Sequence, residues 1–230
     1  MKRMLQSIVR SFGYDIVSFN TYQGLPEPII PWESETDFLD LYEVVRDYTL
    51  LDRRRLYMLY SAVKVSNILE GDLAEVGVFK GGTALLISKL SDGKKDVHLF
   101  DTFKGMPNTA DSKVDIHVSG DFNDTSLAQV KQLLSNSSTA FLYPGFFPET
   151  AQDLKNKVFS FVHVDVDIYS SVLDCCNFFY PRLVLGGIIL FDDYGFNSCP
   201  GVKQALQDFC SAQSLKELYL PTGQAMLWKR

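Results

Sequence analysis

The segment Glu75-Val76-Gly77-Val78-Phe79-Lys80-Gly81-Gly82-Thr83 indicates most directly how this chain folds. An apolar run ends here in an acidic residue and a glycine, and two further glycines precede a stretch with helical spacing. Glycine adopts the backbone conformations of a tight turn and lets other groups approach the main chain closely. The segment therefore predicts a strand that turns directly into a helix.

The start of that predicted helix is suited to an anionic group, because its free N–H groups and the positive end of its dipole face the turn. The glycine spacing differs from the GxGxxG of dinucleotide-binding folds, which disfavours a dinucleotide. Glu75 could accept hydrogen bonds from an α-amino group beside a bound carboxylate, and this combination suits methionine. The alternative is an ordinary strand–helix turn whose glycines serve chain geometry alone.

Short apolar runs alternate with helical stretches along most of the chain. Strands are predicted at 73–78, 97–101, 139–143, 159–166 and 187–191, and helices at 83–90, 126–134, 150–155, 170–179 and 201–211. This alternation favours an α/β fold with a parallel sheet covered on both faces. Residues 215–220 and 224–228 predict a β-hairpin at the end of the chain.

Upstream of the sheet, residues 1–70 are predicted to form an N-terminal arm followed by helices, with 71–230 as the core of a single domain. Prolines at 26, 28 and 31 keep the arm extended, and we expect it to fold over the ligand cleft as a lid and to make contacts with either the acceptor or a second subunit. Ser34 is predicted to cap a helix that reaches about residue 47. A second helix is predicted at about 52–69, where apolar residues recur at helical spacing.

The composition excludes several classes of function. The 230 residues include 22 Lys and Arg against 28 Asp and Glu, for a net charge of −6, whereas tight binding of a nucleic-acid backbone needs many positive contacts. No apolar run approaches the roughly 20 residues of a membrane span. The cysteines, Cys175, Cys176, Cys199 and Cys210, form no CxxC pair, so buried reduced thiols are expected. We therefore expect a cytoplasmic protein that binds neither nucleic acid nor membranes.

A second acidic residue, Asp101, stands at the end of the next predicted strand, in His98-Leu99-Phe100-Asp101-Thr102-Phe103. In nucleoside-binding α/β folds, a carboxylate roughly 20 positions beyond the glycine turn accepts hydrogen bonds from ribose hydroxyls. A helix cap or a surface turn is the alternative. Together with the glycine turn, Asp101 predicts a ligand that contains adenosine.

Two later strands each end in a pair of acids, Asp165 with Asp167 and Asp192 with Asp193. Open α/β sheets bind ligands at the carboxyl ends of their strands. Four carboxylates there would repel one another unless a cation lay among them, and oxygen ligands favour Mg²⁺, with Mn²⁺ or Ca²⁺ as alternatives. The competing interpretation is that these acids cap the following helices and face water.

A cation at this edge would have a chemical use. A sugar or phenol hydroxyl is a poor nucleophile while it is protonated, and coordination lowers its pKa and fixes its oxygen. A neighbouring carboxylate can then accept the proton.

These motifs resemble those of the macrocin O-methyltransferase (TylF) family. The matching stretches are GDLAEVGVFKGG, LFDTFKGMP, YPGFFPET, HVDVDIYSS and YPRLVLGGIILFDDYGFNSCPGVKQAL, which together span about 71–206. The resemblance implies a Rossmann-like class I methyltransferase sheet with helices on both faces and a C-terminal antiparallel hairpin. It also implies Mg²⁺-dependent transfer of a methyl group from S-adenosylmethionine to a hydroxyl of a sugar or glycoside. Homodimers or higher homo-oligomers are common among similar enzymes.

The resemblance also implies roles for individual residues. The donor contacts are Glu75, Gly77, Phe79, Gly81, Thr83, Asp101, Thr102, Phe103 and, near the adenine, Asp121. Asp165, Asp192 and Asp193 match the metal-binding acids, and Asp167 is implied as the general base, a role that Asp165 could share or exchange. Members often carry Trp and Arg where this chain has Phe79 and Lys80.

A metal-dependent glycosyltransferase is the main alternative, because Asp165-Val166-Asp167 is a DxD, which such enzymes use to hold a metal and a nucleotide diphosphate. The glycine turn and the second acidic pair are not explained by that function. His163 is expected to be a buried structural histidine. Tyr169 and Tyr194 are expected either to line the acceptor pocket or to pack elsewhere.

Overall fold

A seven-stranded sheet carries the fold in the computed structural model, which describes residues 30–107 and 113–230. The strands are β1 (Asp72–Val76), β2 (Val97–Asp101), β3 (Ala140–Pro144), β4 (Phe159–Val164), β5 (Leu183–Phe191), β6 (Leu218–Tyr219) and β7 (Ala225–Trp228). Their order is β3-β2-β1-β4-β5-β7-β6. The first five strands pair in parallel, and β7 is antiparallel to both of its neighbours.

Helices cover both faces of this sheet. In the unit that carries the sheet, the helices are α2 (Thr36–Val45), α3 (Arg53–Ser66), α4 (Gly82–Ser91), α5 (Leu127–Leu133), α6 (Tyr169–Phe179) and α7 (Pro200–Ala212), and α1 (Pro31–Ser34) precedes them in the chain. Helix α3 packs on α4, β4 and β5. Helices α6 and α7 pack on the other face of the sheet, in a core that includes the strand residues Val76, Val164 and Phe191. The predicted α/β fold, with a Rossmann-like sheet and a C-terminal antiparallel hairpin, is confirmed.

The N-terminal segment differs from its prediction in one respect. The helix predicted to begin after Ser34 is observed as α2, and a separate short helix, α1, precedes it, with Pro31 at its first position, where proline is well suited. Helix α2 begins after Glu35, whose side chain makes no capping hydrogen bond. The predicted cap at Ser34 is therefore wrong, and its hydroxyl donates to the Ile30 carbonyl at 3.0 Å.

The second predicted helix is observed as α3. The side chain of Asp52 caps it by accepting hydrogen bonds from the N–H groups of Arg54 and Arg55 at 2.8 and 3.2 Å. Residues 35–230 form one compact unit, so α2 and α3 belong to the unit that carries the sheet. The arm residues before position 30, where lid contacts were expected, lie outside the described residues. Over the described ranges, no helix is both long and apolar enough to cross a membrane.

The sheet places a ligand crevice between β1 and β4. Strands β2 and β3 extend to one side of β1, and β4 and β5 to the other, and ligands bind outside the carboxyl ends at such a switch point. Gly77 follows β1 with a φ of 93°, and a Cβ there would stand 1.8 Å from the carbonyl oxygen of Asp165. Because only glycine permits this approach, Gly77 allows the ends of β1 and β4 to meet.

Candidate active site

A cavity of about 290 Å³ opens at the carboxyl ends of β1, β2, β4 and β5. Its volume lies near the lower end of the roughly 300–1,000 Å³ typical of small-molecule sites. The predicted site residues that line it are Gly77, Phe79, Thr83, Asp101, Thr102, Asp165, Asp167, Asp192 and Asp193. The structure therefore brings most of the predicted donor contacts and all of the predicted metal ligands to one cavity.

The other predicted donor contacts, Glu75, Gly81, Phe103 and Asp121, are not among the lining residues. Glu75 is fully buried, and its Oε1 lies 2.8 Å from Nδ1 of His163, the buried histidine that the sequence predicts. Gly81 precedes α4 with a φ of 90°. In this structure Glu75 therefore contacts His163 in the protein interior and does not line the cavity.

Asp101 ties the end of β2 to the glycine turn. Its Oδ2 accepts hydrogen bonds from the N–H groups of Val78 and Phe79, both at 2.8 Å, and its Oδ1 accepts one from Phe103 at 2.6 Å. An ionised carboxylate offers about four lone-pair positions. About one position is left to accept a hydrogen bond from a ligand hydroxyl, so Asp101 can both fix the turn and face a ribose.

The backbone is strained at the three points where the chain leaves β1, β4 and β5 at the cavity. Phe79, Asp167 and Asp193 have φ values of 51°, 59° and 57°, in the left-handed region that non-glycine residues rarely adopt. Each such residue costs on the order of 1–3 kcal/mol, and such strain clusters at active sites and ligand clamps. All three residues lie where the chain leaves a strand at the cavity, so the strain coincides with the rim that the sequence predicts to bind ligands.

Asp165, Asp192 and Asp193 form the acidic cluster. One carboxylate oxygen from each lies within 4.8 Å of the others. Burial, together with repulsion from Asp193, raises the pKa of Asp192 to about 6. Burial and the charges of Asp192 and Asp193 also raise the pKa of Asp165 well above its ordinary value. The cluster therefore carries more negative charge than its surroundings compensate.

Arg55, which the sequence analysis did not identify, partly neutralises this cluster. Its Nη1 donates to Oδ2 of Asp192 and, at 3.3 Å, to Oδ1 of Asp193, and its Nη2 donates to the Leu50 carbonyl at 3.0 Å. The sequence does contain a signal, because residues 53–55 are all arginine and occupy the first turn of α3. Cations are unfavourable at the positive end of a helix dipole, so one of these arginines was a candidate for another role.

The acidic cluster fits a hard divalent cation. Its donors are all carboxylate oxygens, which Mg²⁺ prefers, and they project from the ends of two neighbouring strands of one rigid sheet. Burial and mutual repulsion raise the pKa values of Asp165 and Asp192 despite Arg55, so a bound cation would stabilise their ionised forms.

We expect the Arg55→Ala variant to be less stable than the native protein without divalent cations, because breaking a buried ion pair leaves uncompensated charge and costs roughly 3–5 kcal/mol. Mg²⁺ should raise its Tm by more than it raises the native Tm, because the cation then supplies the missing charge. Arg54→Ala is the matched control, since its side chain is 62% exposed. Equal Mg²⁺-dependent shifts in all three proteins, measured by calorimetry, would contradict this assignment.

Asp167 lies beside Cys199 and next to the acidic cluster, with its carboxyl group in hydrogen-bond contact with that of Asp193. Its Oδ1 is 3.4 Å from the Cys199 sulfur, and burial together with the charge of Asp193 raises the pKa of Asp167 to about 7. A carboxylate with that pKa can accept a proton near neutral pH. His117 and Cys199 also line the cavity, and neither was predicted as a site residue.

The two tyrosines for which alternatives were left open do not line the cavity. The Tyr169 hydroxyl donates to Oδ2 of Asp208 at 3.0 Å, and the Tyr194 hydroxyl donates to Oε1 of Glu217 at 2.8 Å. Packing away from the pocket is therefore the interpretation that agrees with the structure. All four cysteines are buried and unpaired, as predicted.

Comparison with known proteins points to one family. The sequence profile described as Macrocin-O-methyltransferase (TylF) matches residues 18–230. A demethyldecarbamoylnovobiocin O-methyltransferase from Streptomyces niveus is 26% identical over 201 residues, which cover 80% of this chain and 76% of that protein.

A second relative, from Streptomyces olivaceus, is 27% identical over 179 residues, which cover 70% of this chain and 67% of that protein. Its name is 8-demethyl-8-(2,3-dimethoxy-alpha-L-rhamnosyl)-tetracenomycin-C 4'-O-methyltransferase. The solved structure of the O-methyltransferase NovP shares the fold, with a TM-score of 0.67, 21% identity, and coverage of 79% of this chain and 82% of that one.

Proposed function

The chain belongs to the macrocin O-methyltransferase (TylF) family, as its motifs predict, and on this premise we propose that it transfers a methyl group from S-adenosylmethionine to a hydroxyl of a sugar or glycosylated small molecule. We further propose that a divalent cation, most simply Mg²⁺, is held by the acidic cluster. One observation carries the proposal: the glycine turn with Asp101 and the acidic cluster line the same cavity.

The glycine-turn side of the cavity suits the donor. The turn and the first residues of α4 can present N–H groups to the donor carboxylate, and Asp101 retains room for a ribose hydroxyl. Phe79 and Phe122, whose rings pack edge to face with centroids 6.0 Å apart, supply apolar wall beside them. S-adenosylmethionine, bound here, would supply the methyl group on a positively charged sulfur.

The opposite side suits the acceptor hydroxyl. Asp165, Asp192 and Asp193 would hold the cation, which when bound lowers the pKa of the acceptor hydroxyl and fixes its oxygen. Asp167 then receives the hydroxyl proton as the new O–CH₃ bond forms and the S–CH₃ bond breaks. The uncharged thioether product and the protonated Asp167 account for all atoms and charges.

One relative supports a sugar-bearing acceptor, and the cavity lining indicates which part of the chain would contact it. One relative's name specifies methylation of a rhamnosyl-bearing compound at a 4' position, which suggests the same class of hydroxyl here. The segment 48–51 lines the cavity near the acidic cluster, because the Leu50 carbonyl accepts a hydrogen bond from Arg55, whereas Phe146 and Phe147 line it near Phe100 and Asp101. The segment 48–51 belongs to the N-terminal part of the chain, 1–70, for which we propose acceptor contacts.

Two measurements test this function. Calorimetry with S-adenosylhomocysteine should show binding, whereas UDP should not bind; the reverse would favour the glycosyltransferase alternative. Labelled donor offered with libraries of sugars, glycosides and phenols should then give transfer that EDTA abolishes and Mg²⁺ restores. Full transfer in the chelated enzyme would remove the cation from the mechanism.

A further inference from the structure

A second group of metal-ligating side chains lies in the same cavity, next to the acidic cluster and in contact with it through Asp167 and Asp193. It consists of His117, Cys199 and Asp167, whose ligand atoms all lie within 4.8 Å of one another. The Cys199 sulfur is 3.5 Å from Nε2 of His117 and 3.4 Å from Oδ1 of Asp167. The three residues come from separate segments of the chain and line the cavity together.

These separations are those of ligands around a single tetrahedral ion. With a Zn–S distance of about 2.3 Å and Zn–N or Zn–O distances of about 2.0–2.2 Å, tetrahedral geometry places sulfur about 3.5–3.7 Å from each of the other ligands. The observed distances of 3.5 and 3.4 Å agree with these values. One ion could therefore contact the sulfur and both of its partners, since the ligand atoms of His117 and Asp167 also lie within 4.8 Å of each other.

His117 is also held as metal-bound histidines are held. Its Nδ1 lies 3.0 Å from Oδ2 of Asp121. The hydrogen bonds from the Val118 N–H and from His117 lower the pKa of Asp121, so this carboxylate is ionised. A carboxylate on Nδ1 keeps the proton there and directs the Nε2 lone pair to the other side, as in carboxylate–histidine–zinc sites. In this structure that side faces Cys199.

The ligand set differs in kind from the acidic cluster. Imidazole, thiolate and carboxylate together favour Zn²⁺, whereas carboxylate oxygens alone favour Mg²⁺. We propose that His117, Cys199 and Asp167 form a binding site for Zn²⁺, with Asp121 supporting His117. Binding forms a Zn–S bond and releases the thiol proton to solvent.

Occupation of this site would inhibit methyl transfer, because the ion takes the carboxylate assigned as the general base. This consequence rests on the proposed function, whereas the binding site does not. The cavity would then hold a hard-cation site that supports the reaction and a soft-cation site that blocks it.

Titration of the full-length protein with Zn²⁺, in excess Mg²⁺ and without donor or acceptor, tests the site. We expect one Zn²⁺ per chain, at least about 100-fold weaker binding in Cys199→Ser, and about 10- to 100-fold weaker binding in Asp121→Asn, which leaves all three ligands in place. Co²⁺ should give a thiolate-to-metal absorption band that Cys199→Ser lacks. Cys210→Ser, at a buried cysteine outside the cavity, is the control and should bind Zn²⁺ normally.

Unchanged Zn²⁺ affinity in both Cys199→Ser and Asp121→Asn, or a Co²⁺ complex without the thiolate band, would overturn the site. Loss of folding in Cys199→Ser would not obscure the result, because Asp121→Asn and the Co²⁺ spectrum of the native protein test it independently. Zn²⁺ that binds as expected but leaves methyl transfer unchanged would overturn only the inhibition. Absence of any methyl transfer would refute the proposed function and leave the binding result standing.

Discussion

Replacing Asp167 with asparagine is expected to lower kcat for methyl transfer by roughly 10²- to 10⁴-fold, the usual contribution of a general base. Asparagine keeps the size and most of the polarity of the side chain but cannot accept the proton. Binding of S-adenosylhomocysteine should stay within about twofold, because the donor side of the cavity is unchanged. Asp174→Asn, at a carboxylate outside the cavity, is the matched control and should keep native activity.

The same assignment predicts a pH dependence. Burial and Asp193 raise the pKa of Asp167 to about 7, so kcat of the native enzyme should rise with pH up to about neutrality as this carboxylate loses its proton. The Asp167→Asn variant should lack this rise. If Asp167→Asn keeps native activity while Asp165→Asn loses it, the two acids exchange roles.

The Asp192→Asn variant is expected to lose more than about 100-fold in activity and to lose the rise in Tm that Mg²⁺ produces in the native protein. Asp192 is a buried member of the acidic cluster, and the amide that replaces it is a neutral, weaker ligand. Asp153→Asn, at an exposed carboxylate, is the control and should keep both properties. A full Mg²⁺-dependent shift in Asp192→Asn would contradict the assignment of the cluster.

The acidic cluster should also make the stability of the cation-free protein depend on pH. Folding raises the pKa of Asp192 from an ordinary 3.8 to about 6. In the cation-free protein, Asp192 therefore contributes to the free energy of unfolding below about pH 4, and this contribution is lost as the pH rises through 6. Asp192→Asn should therefore lose less stability over that interval than the native protein. Thermal unfolding in EDTA between pH 4 and 8 measures both slopes.

Much of the fold follows from local sequence, and its departures have local causes. Strand β4 was predicted to reach 166 but ends at Val164, because the chain turns into the left-handed backbone of Asp167. Strand β5 was predicted from 187 but begins at Leu183. Gly186 and Gly187 look like a break in the sequence, yet the strand passes through them, with Gly186 at a φ of 80° and an irregular register against β4.

The site likewise contains residues that the sequence predicts and residues that it does not. Residues at strand ends could be predicted, because parallel strands bring their carboxyl ends to one edge. Arg55 could not be placed there from sequence, because it reaches Asp192 from a helix 137 residues earlier. His117 and Cys199 likewise lie close together only because two loops converge, and the periodicity of a sequence does not predict which loops converge.

We propose that one cavity holds both the methyl donor and the cation. A crystal structure with S-adenosylhomocysteine and Mn²⁺, with the metal located by anomalous scattering, tests it most directly. We predict Mn²⁺ on oxygens of Asp165, Asp192 and Asp193, and the adenosyl group between Asp101 and the glycine turn, with the thioether sulfur facing the metal across the cavity. Adenosyl density in a separate cavity, or Mn²⁺ bound away from these aspartates, would contradict the account.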